Sequence, residues 1–255
     1  HGQVDCLTNA SGLKQVYTYN KLQKCKTPVF HAVSTFDILN EMFIRSKFHF
    51  GTADERELAS KMIDAVAQDV YYKDEPQIWI FDRGFPSLSL IQKLLEHRLY
   101  FVMRVSSSFL KEVNAFRKSK YVDRVIHIEY SERRATQNHV HSDGISQFDL
   151  RCVRVKLPSG EDEILVTNLD RKDFPKRDIK EIYRLRWGIE TGFNYLKNAV
   201  FVEEFVSKTE NGLAQDYFVS LLVYNFATCI CGSMYPNIPK KENTSTRSIE
   251  ELPPD

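Results

Sequence analysis

The stretch YRLRWGIETGFNYLKN, residues 183–198, combines structural and chemical patterns in one short segment. It contains no proline, and its apolar residues recur at helical spacing, which predicts an α-helix opened either by Asp173 or by Phe174-Pro175. At about 100° per residue, four polar positions fall within one stripe about 60° wide. They are Tyr183, Arg186, Glu190 and Lys197. An apolar stripe roughly 100° away is expected to pack on the core.

Two interpretations of the polar stripe are open. In the first, it is a solvated surface on which Arg186 and Glu190, four residues apart, form an ion pair of about 0.3–0.5 kcal/mol. In the second, Glu190 binds a metal ion that prefers oxygen ligands, while the cations and the phenol hold phosphates. The geometry of the helix permits both.

A second candidate for chemistry is Asp82, which ends the short apolar run QIWIFD (77–82). We interpret this run as a buried strand, followed by a helix at 87–97 and another buried strand at 99–105. Strands joined by such helical crossovers are parallel. Open α/β sheets bind ligands at the carboxyl ends of their strands, so Asp82 is placed where a functional carboxylate is expected.

The first fifty residues predict antiparallel strands. Residues 28–35 and 41–50 read as a hairpin whose turn contains Asp37 and Asn40, and residues 3–7 read as a strand that pairs with it.

Helical and polar segments follow this hairpin. Residues 51–68 predict a helix opened by a capping box of Thr52 and Glu55. Residues 106–160 are polar with short alternating runs, which favours a mostly antiparallel β insertion, and residues 213–231 predict an apolar helix packed in the core. The predicted class is therefore α/β, with a mixed sheet flanked by helices. The predicted segments are the first half of the core (1–105), the β-rich insertion (106–160), the second half of the core (161–235) and a disordered tail (236–255).

The composition is that of an ordinary globular protein of 255 residues, with 42% apolar and 27% charged residues. The 35 basic and 34 acidic residues leave a net charge of +1, so a nucleic-acid partner would have to be held by local basic clusters. We interpret the five cysteines as reduced, buried residues of a cytosolic protein. No apolar run reaches the roughly 18–20 residues that span a bilayer, and no membrane association is expected.

The spacing Tyr183-x2-Arg186-x3-Glu190-x6-Lys197 resembles the Y-R-E-K signature of the insertion-sequence-four family of bacterial DDE transposases. The context TNLDRKDFPKRDIKEIYRLRWGIET (167–191) is similar to that family too. IFDRGFPS resembles the block that holds the family's second catalytic aspartate, and PVFHAVSTFDILNEMFI with ADERELA resembles the stretch before it. The resemblance covers about residues 28–105 and 160–230.

This resemblance implies an RNase H-like core with a β-rich insertion and a catalytic triad of carboxylates. Asp82 would be the second aspartate and Glu190 the glutamate, together with a first aspartate binding two Mg²⁺ or Mn²⁺ ions. Tyr183, Arg186 and Lys197 would bind DNA phosphates.

The identity of the first aspartate is open. The family has Asp-Gly-Ser or Asp-Gly-Thr on its first strand, and this tripeptide does not occur here. Asp5 lies in a suitable strand, although Cys6 follows it where glycine is expected; alternatively, HGQ at the start aligns with the tripeptide and His1 replaces the aspartate. We favour Asp5, because a carboxylate there can perform the chemistry.

The activity that the resemblance implies is DNA transposition: metal-dependent cleavage at transposon ends and strand transfer into target DNA. The alternatives are a catalytically degenerate DNA-binding remnant and a stand-alone RNase H-like nuclease. The expected partner is double-stranded DNA, both terminal repeats and target, in the bacterial cytoplasm and associated with the nucleoid. Members of that family tend to act as dimers on paired ends, which allows a homodimer here. The chain begins at His1 and has no separate N-terminal DNA-binding domain, so we expect a fragment of a longer protein.

Overall fold

A computed structural model of the chain describes residues 2–5, 17–20, 25–50, 54–129, 147–157, 160–199, 207 and 209–234. For residues 2–5, 17–20, 25–31, 50 and 199 it describes the backbone alone. In chain order, the elements are β1 (Gly2–Asp5), β2 (Tyr17–Asn20), β3 (Cys25–Asp37), β4 (Met42–Phe50), α1 (Glu55–Ala67), β5 (Ile78–Phe81), α2 (Leu88–Glu96), β6 (Tyr100–Arg104), α3 (Lys111–Lys118), β7 (Asp123–Glu129), β8 (Gln147–Lys156), β9 (Asp162–Thr167), α4 (Lys176–Arg184), α5 (Trp187–Ala199) and α6 (Glu210–Met234).

The chain forms two compact units. The first comprises residues 1–62 and 187–240, and the second comprises residues 63–186 and 241–255. Among the described elements, β1 to β4, α5 and α6 belong to the first unit, and β5 to β9 with α2 to α4 belong to the second.

The first unit is built on the predicted hairpin of β3 and β4. The two strands are antiparallel, with a bulge between Thr35 and Phe36. Asp37 forms the turn as an Asx motif, because its Oδ1 accepts hydrogen bonds of 3.0 Å from the backbone N–H groups of Leu39 and Asn40. β1 and β2 each pair with β3, also antiparallel, so the predicted early strand is confirmed at Gly2–Asp5.

One face of α6 holds this hairpin through polar as well as apolar contacts. The hydroxyl of Tyr217 lies 3.0 Å from that of Ser34 and 2.8 Å from that of Ser46. The side-chain amide of Asn225 accepts a hydrogen bond of 2.9 Å from the backbone N–H of Phe43 and donates one of 2.7 Å to its carbonyl. These bonds fix the orientation of α6 on β4.

The second unit contains a mixed sheet, in which the described strands follow the order β5-β6-β9-β8-β7. β5 and β6 are parallel, as predicted, and the other neighbouring pairs are antiparallel. Adjacent residues of β6 point to opposite faces of the sheet. Phe101 and Met103 pack in a core with α2, and Val102 packs in a core with Ile179 and Ile182 of α4. Helices therefore cover both faces, and the predicted mixed α/β class is confirmed.

A buried ion pair fixes the loop between β9 and α4. Arg151 of β8 donates hydrogen bonds of 3.0 and 2.8 Å to the two carboxylate oxygens of Asp123, and both side chains are at most 5% exposed. Nη1 of Arg151 also donates to the carbonyls of Leu169, Asp170 and Phe174. Burial raises the pKa of Asp123, but the hydrogen bonds and positive charge of Arg151 lower this pKa by more than burial raises it. The net pKa therefore lies below that of an ordinary carboxyl.

Several predictions need correction. The segment predicted as a β insertion also contains the helix α3, and its strands β7 and β8 belong to the same sheet as β5 and β6. α1 begins after Asp54, whose Oδ1 accepts a hydrogen bond from the N–H of Arg56, rather than at a box opened by Thr52. Thr52 and the tail from residue 236 lie outside the described residues. The division into four segments stays a prediction.

α6 differs most from its prediction as a core helix. It buries Leu213, Tyr217, Leu221 and Tyr224, but its opposite face is exposed. Cys229 and Cys231 on this helix are exposed, while Cys152 in β8 is buried as predicted. α6 is also long and apolar enough to meet the length and composition criteria for a membrane span, which was not predicted from the sequence. One such helix is by itself weak evidence for membrane insertion.

Candidate active site

Asp82 lies where β5 ends and the chain turns. β5 and β6 are paired in register at Phe81 and Met103. The residues that follow these two, Asp82 just after β5 and Arg104 at the end of β6, therefore lie at the same carboxyl edge of the sheet. The backbone N–H of Arg83 donates a hydrogen bond of 2.7 Å to Oδ1 of Asp82, and the N–H of Phe85 donates to its carbonyl at 3.1 Å. The turn thus fixes the half-buried carboxylate.

Tyr183 of α4 contacts this carboxylate directly. Its hydroxyl donates a hydrogen bond of 3.3 Å to Oδ1 of Asp82, although the two residues are 101 positions apart in the chain. Ile179 and Ile182 anchor α4 in the core shared with β6 and β9, and the ring of Tyr183 packs against that core. The sequence predicted both residues as site residues, and the structure places them in contact.

The surroundings of Tyr183 keep its hydroxyl protonated. Burial raises the pKa of Tyr183, and the negative charge of Asp82 raises it further. The positive charges of Arg186 and Arg104 lower this pKa, but by a smaller amount. The net pKa lies well above that of an ordinary phenol. At neutral pH the hydroxyl is therefore a hydrogen-bond donor and not a base.

Arg186 adds a positive charge close to the Tyr183 ring. Its guanidinium carbon lies 5.9 Å from the ring centroid, within the range of a cation–π interaction. Its backbone N–H donates to the carbonyl of Tyr183 at 3.1 Å, in the turn that follows α4. The carboxylate, the phenol and this guanidinium thus occupy one region of the second unit.

Arg104 and Glu163 are neighbours of this region that the sequence reading missed. Nη2 of Arg104 lies 2.6 Å from Oε1 of Glu163, and both charges act on Tyr183. The signal was present in the sequence, because Arg104 lies near the carboxyl end of the second of two predicted parallel strands, just as Asp82 ends the first.

Glu190 and Lys197 lie on α5, in the first unit. They are seven residues apart and so share one face of that helix to within about 20°. The opposite side packs on the β3–β4 hairpin: a Cβ added at Gly188 would meet Ile38 at 3.2 Å, and one added at Gly192 would meet Phe36 at 3.0 Å. Both polar side chains are partly exposed.

The prediction of one continuous helix through residues 183–198 is wrong. α4 ends at Arg184, Leu185 and Arg186 form a turn, and α5 begins at Trp187. Since the boundary between the two units also falls here, the angular count holds only within each helix. That all four signature residues share one stripe is therefore not supported.

Asp5 is the last residue of β1, and its backbone is paired with Val29 of β3. The strand is therefore present, but the side chain of Asp5 and the whole of His1 lie outside the described residues. The choice between these residues stays open.

The described residues contain no group of three histidine, cysteine, aspartate or glutamate side chains arranged to hold a metal ion. Asp82 nevertheless fits one ligand position. Its Oδ1 accepts the bonds from Tyr183 and Arg83, whereas Oδ2 accepts none from the described part of the chain. A carboxylate oxygen of this kind suits the hard cations Mg²⁺ and Mn²⁺.

The second unit thus has a mixed sheet with a carboxylate at its carboxyl edge, beside a phenol and arginines. Comparison with known protein families identifies a match. The profile of the family described as Transposase DDE domain matches residues 8–226. The chain therefore belongs to the DDE transposase family, and its α/β architecture is that of the RNase H-like fold. The family resemblance stated from the sequence is confirmed at this level, while the narrower assignment to the insertion-sequence-four group stays a prediction.

Curated relatives agree with this assignment. A putative transposase, y4zB, of Sinorhizobium fredii is 26% identical over 57% of this chain and 40% of its own length. A putative transposase for insertion sequence element IS4SA of Synechocystis is 22% identical over 69% and 46%, respectively. A probable transposase for insertion sequence element IS5377 of Geobacillus stearothermophilus is 22% identical over 68% and 43%. The chain spans less than half the length of these relatives.

Proposed function

We propose that the chain is the catalytic part of a DNA transposase that cleaves transposon ends and transfers the freed strand into target DNA. Membership of the DDE family supports this proposal. The observation that carries it is the hydrogen bond from Tyr183 to Asp82, because it joins two separately predicted residues at the carboxyl edge of the sheet.

The substrate is double-stranded DNA, and the chain's own residues hold its phosphates. Arg186 presents a planar fork that suits two phosphate oxygens, Lys197 adds a point charge, and the protonated Tyr183 donates a hydrogen bond. Further affinity comes from exposed lysines of α4 and the loop before it. These are Lys172, Lys176 and Lys180.

The proposed metal ligands are Asp5, Asp82 and Glu190. Two Mg²⁺ or Mn²⁺ ions bound by such carboxylates would activate the attacking oxygen and stabilise the leaving one. Tyr183 contributes by fixing the orientation of Asp82 through Oδ1, which leaves Oδ2 available as a metal ligand. The reaction is hydrolysis at the transposon end, followed by attack of the freed 3′-hydroxyl on the target phosphodiester.

A catalytically degenerate DNA-binding remnant is the second candidate. The observation that favours it is the sequence around the first aspartate, where Cys6 follows Asp5 and His1 offers a competing alignment. Such a protein would bind DNA in a salt-sensitive way without cutting it.

The deciding experiment measures nicking and strand transfer on DNA that carries the element's terminal repeats, with Mg²⁺ or Mn²⁺ and with EDTA. Metal-dependent nicking that is lost in Glu190→Gln and retained in the control Glu129→Gln supports the proposal. Binding without nicking in the parent favours the remnant, and nicking without strand transfer favours a stand-alone nuclease. An active Glu190→Gln variant would overturn the role of Glu190.

We infer a cytoplasmic location, associated with the nucleoid, since the proposed substrates are there. A homodimer on paired transposon ends is the assembly that we propose for strand transfer.

A further inference from the structure

The outward face of α6 is an apolar surface that the proposed chemistry does not use. Residues 218, 222, 226, 230 and 234 follow one another at intervals of four, which forms an i+4 ridge along four turns of the helix. We call the ridge and its two flanking valines the α6 ridge. Its members are Phe218, Val219, Leu222, Val223, Phe226, Ile230 and Met234, which are 40–67% exposed.

This ridge lies opposite the buried face of the same helix. At about 100° per residue, its members cover an arc of about 160°, centred roughly 180° from Leu213, Tyr217, Leu221 and Tyr224. The helix is therefore apolar on both sides. A helix of that kind is normally covered all round, by protein or by lipid.

Lipid is a poor occupant for the exposed side. The buried side of α6 is bonded to the hairpin through Tyr217 and Asn225, so a bilayer around α6 would also have to take in the strand β4. β4 carries Arg45 and Lys47, and placing such charges in hydrocarbon costs about 2.5–3.5 kcal/mol each on insertion scales.

DNA is also a poor occupant. α6 contains the acidic residues Glu210 and Asp216 and no lysine or arginine. Because DNA binding depends on neutralising phosphates with cations, this helix offers nothing that attracts the duplex.

A second copy of the same chain fits the ridge. A symmetric dimer needs a patch that is complementary to itself, and an uncharged i+4 ridge packs against its own copy at the common crossing angle of about −50° without bringing like charges together. The seven side chains expose on the order of 600 Å² of apolar surface, given that one aromatic side chain alone offers about 150–250 Å². A stable interface buries about 800 Å² per partner, so the ridge supplies most of one side.

We propose that the α6 ridge is the interface through which two copies of this chain associate. Phe226, in the middle of the ridge, then lies close to the two-fold axis and to its own counterpart. The inference concerns a surface and does not depend on the proposed nuclease chemistry.

The first test is the mass in solution, by analytical ultracentrifugation of nuclease-treated protein over a range of micromolar concentrations. We expect a dimer for the parent chain and for Val70→Glu, an exposed valine in a turn of the second unit. Val223→Glu and Leu222→Glu should raise the dissociation constant at least tenfold, while far-UV circular dichroism stays unchanged. High salt should not weaken the dimer, since the interface is apolar.

The second test does not need a charge in the ridge. Phe226→Cys, in a chain with Cys229→Ser and Cys231→Ser, should form an intermolecular disulfide on mild oxidation, and Val70→Cys in the same background should not. A parent that is monomeric throughout, a dimer that withstands Leu222→Glu, or a Phe226→Cys chain that fails to cross-link would each overturn the proposal. Binding of the parent to lipid vesicles that is lost with Leu222→Glu would assign the ridge to a membrane instead.

Discussion

The hydroxyl of Tyr183 and the carboxylate of Asp82 are joined by a hydrogen bond of 3.3 Å across the carboxyl edge of the second unit's sheet. A residue of helix α4 thus orients a residue of the turn after β5, which precedes it by 101 positions. This contact makes the role of each residue testable separately.

Tyr183→Phe removes the hydroxyl and keeps the ring that packs on the core. Hydrogen bonds to charged groups contribute about 1.5–3 kcal/mol, so we expect the single-turnover nicking rate to fall by about ten- to a hundredfold, with the melting temperature nearly unchanged. Tyr195→Phe is the matched control, because Tyr195 is half exposed and lies on α5. Equal rates for the parent and Tyr183→Phe would contradict the orienting role.

The same tyrosine should not titrate in the ordinary alkaline range. Its raised pKa means that the hydroxyl stays protonated and bonded to Asp82 at and above pH 10, where an exposed tyrosine ionises. Burial also raises the pKa values of Tyr217 and Tyr224, so ultraviolet difference titration should show several more tyrosines ionising near pH 10 in an unfolded sample than in the native protein. Tyr183→Phe should reduce that difference by one tyrosine, and an unchanged difference would contradict the raised pKa of Tyr183.

Asp82→Asn keeps the size of the side chain and its ability to accept from Tyr183 and Arg83. We expect nicking to fall by a factor of at least about a thousand, because a neutral amide is a poor ligand for Mg²⁺ and activation of the attacking oxygen depends on bound metal. Thermal stability should change by less than about 1 kcal/mol. Asp74→Asn, at an exposed position, should be fully active; an inactive Asp74→Asn would point to a general loss of fold.

Asp123→Asn should destabilise the second unit by about 3 kcal/mol or more, since it leaves the buried guanidinium of Arg151 without its anion. The effect should depend on pH. The folded pKa of Asp123 is lowered, so its contribution is fully present above the unfolded value of about 3.9 and is lost as pH falls through the folded value. Urea unfolding of both proteins from neutral to strongly acidic pH should show the two free energies converging in acid. A constant difference at all pH values would refute the linkage.

Gly192→Ala tests the close contact between α5 and the hairpin. The added methyl group would lie 3.0 Å from Phe36 and 3.3 Å from Phe43, and we expect a net loss of about 1–2 kcal/mol, because overpacking outweighs the better helix propensity of alanine. Gly232→Ala is the matched control. It lies in α6 with open space around it and should gain about 0.5–1 kcal/mol. Chemical denaturation of both variants gives the comparison.

The sequence predicted correctly those elements that are determined by a short stretch of residues. Asp37 and Asn40 defined the hairpin turn, because a carboxylate there bonds the backbone just ahead of it. The run from residue 77 to residue 105 gave a parallel strand pair, because two short apolar strands joined by a helix allow few other arrangements. The position of Asp82 at the carboxyl edge of the sheet followed from that topology.

Other features depend on tertiary contacts and could not be predicted locally. The turn at Leu185 and Arg186 contains neither glycine nor proline, and Leu185 retains helical backbone angles, so the apolar spacing continues across the break. α3 buries Val113 and Phe116 on one short helical face. Two apolar positions are too few to distinguish helical spacing from the alternating pattern of a β-strand. Thr52 and Asp54 are both good helix caps, and the sequence does not decide between them.

The bonds from Asn225 to Phe43 have a further consequence for aggregation. A carboxamide carries a donor and an acceptor spaced like those of a peptide group, so Asn225 satisfies the two backbone groups at that position as an additional strand would. Strands with unpaired edges recruit other polypeptides into growing sheets. Helix α6 thus closes this part of the β4 edge with a single side chain, and protects the hairpin from intermolecular strand addition.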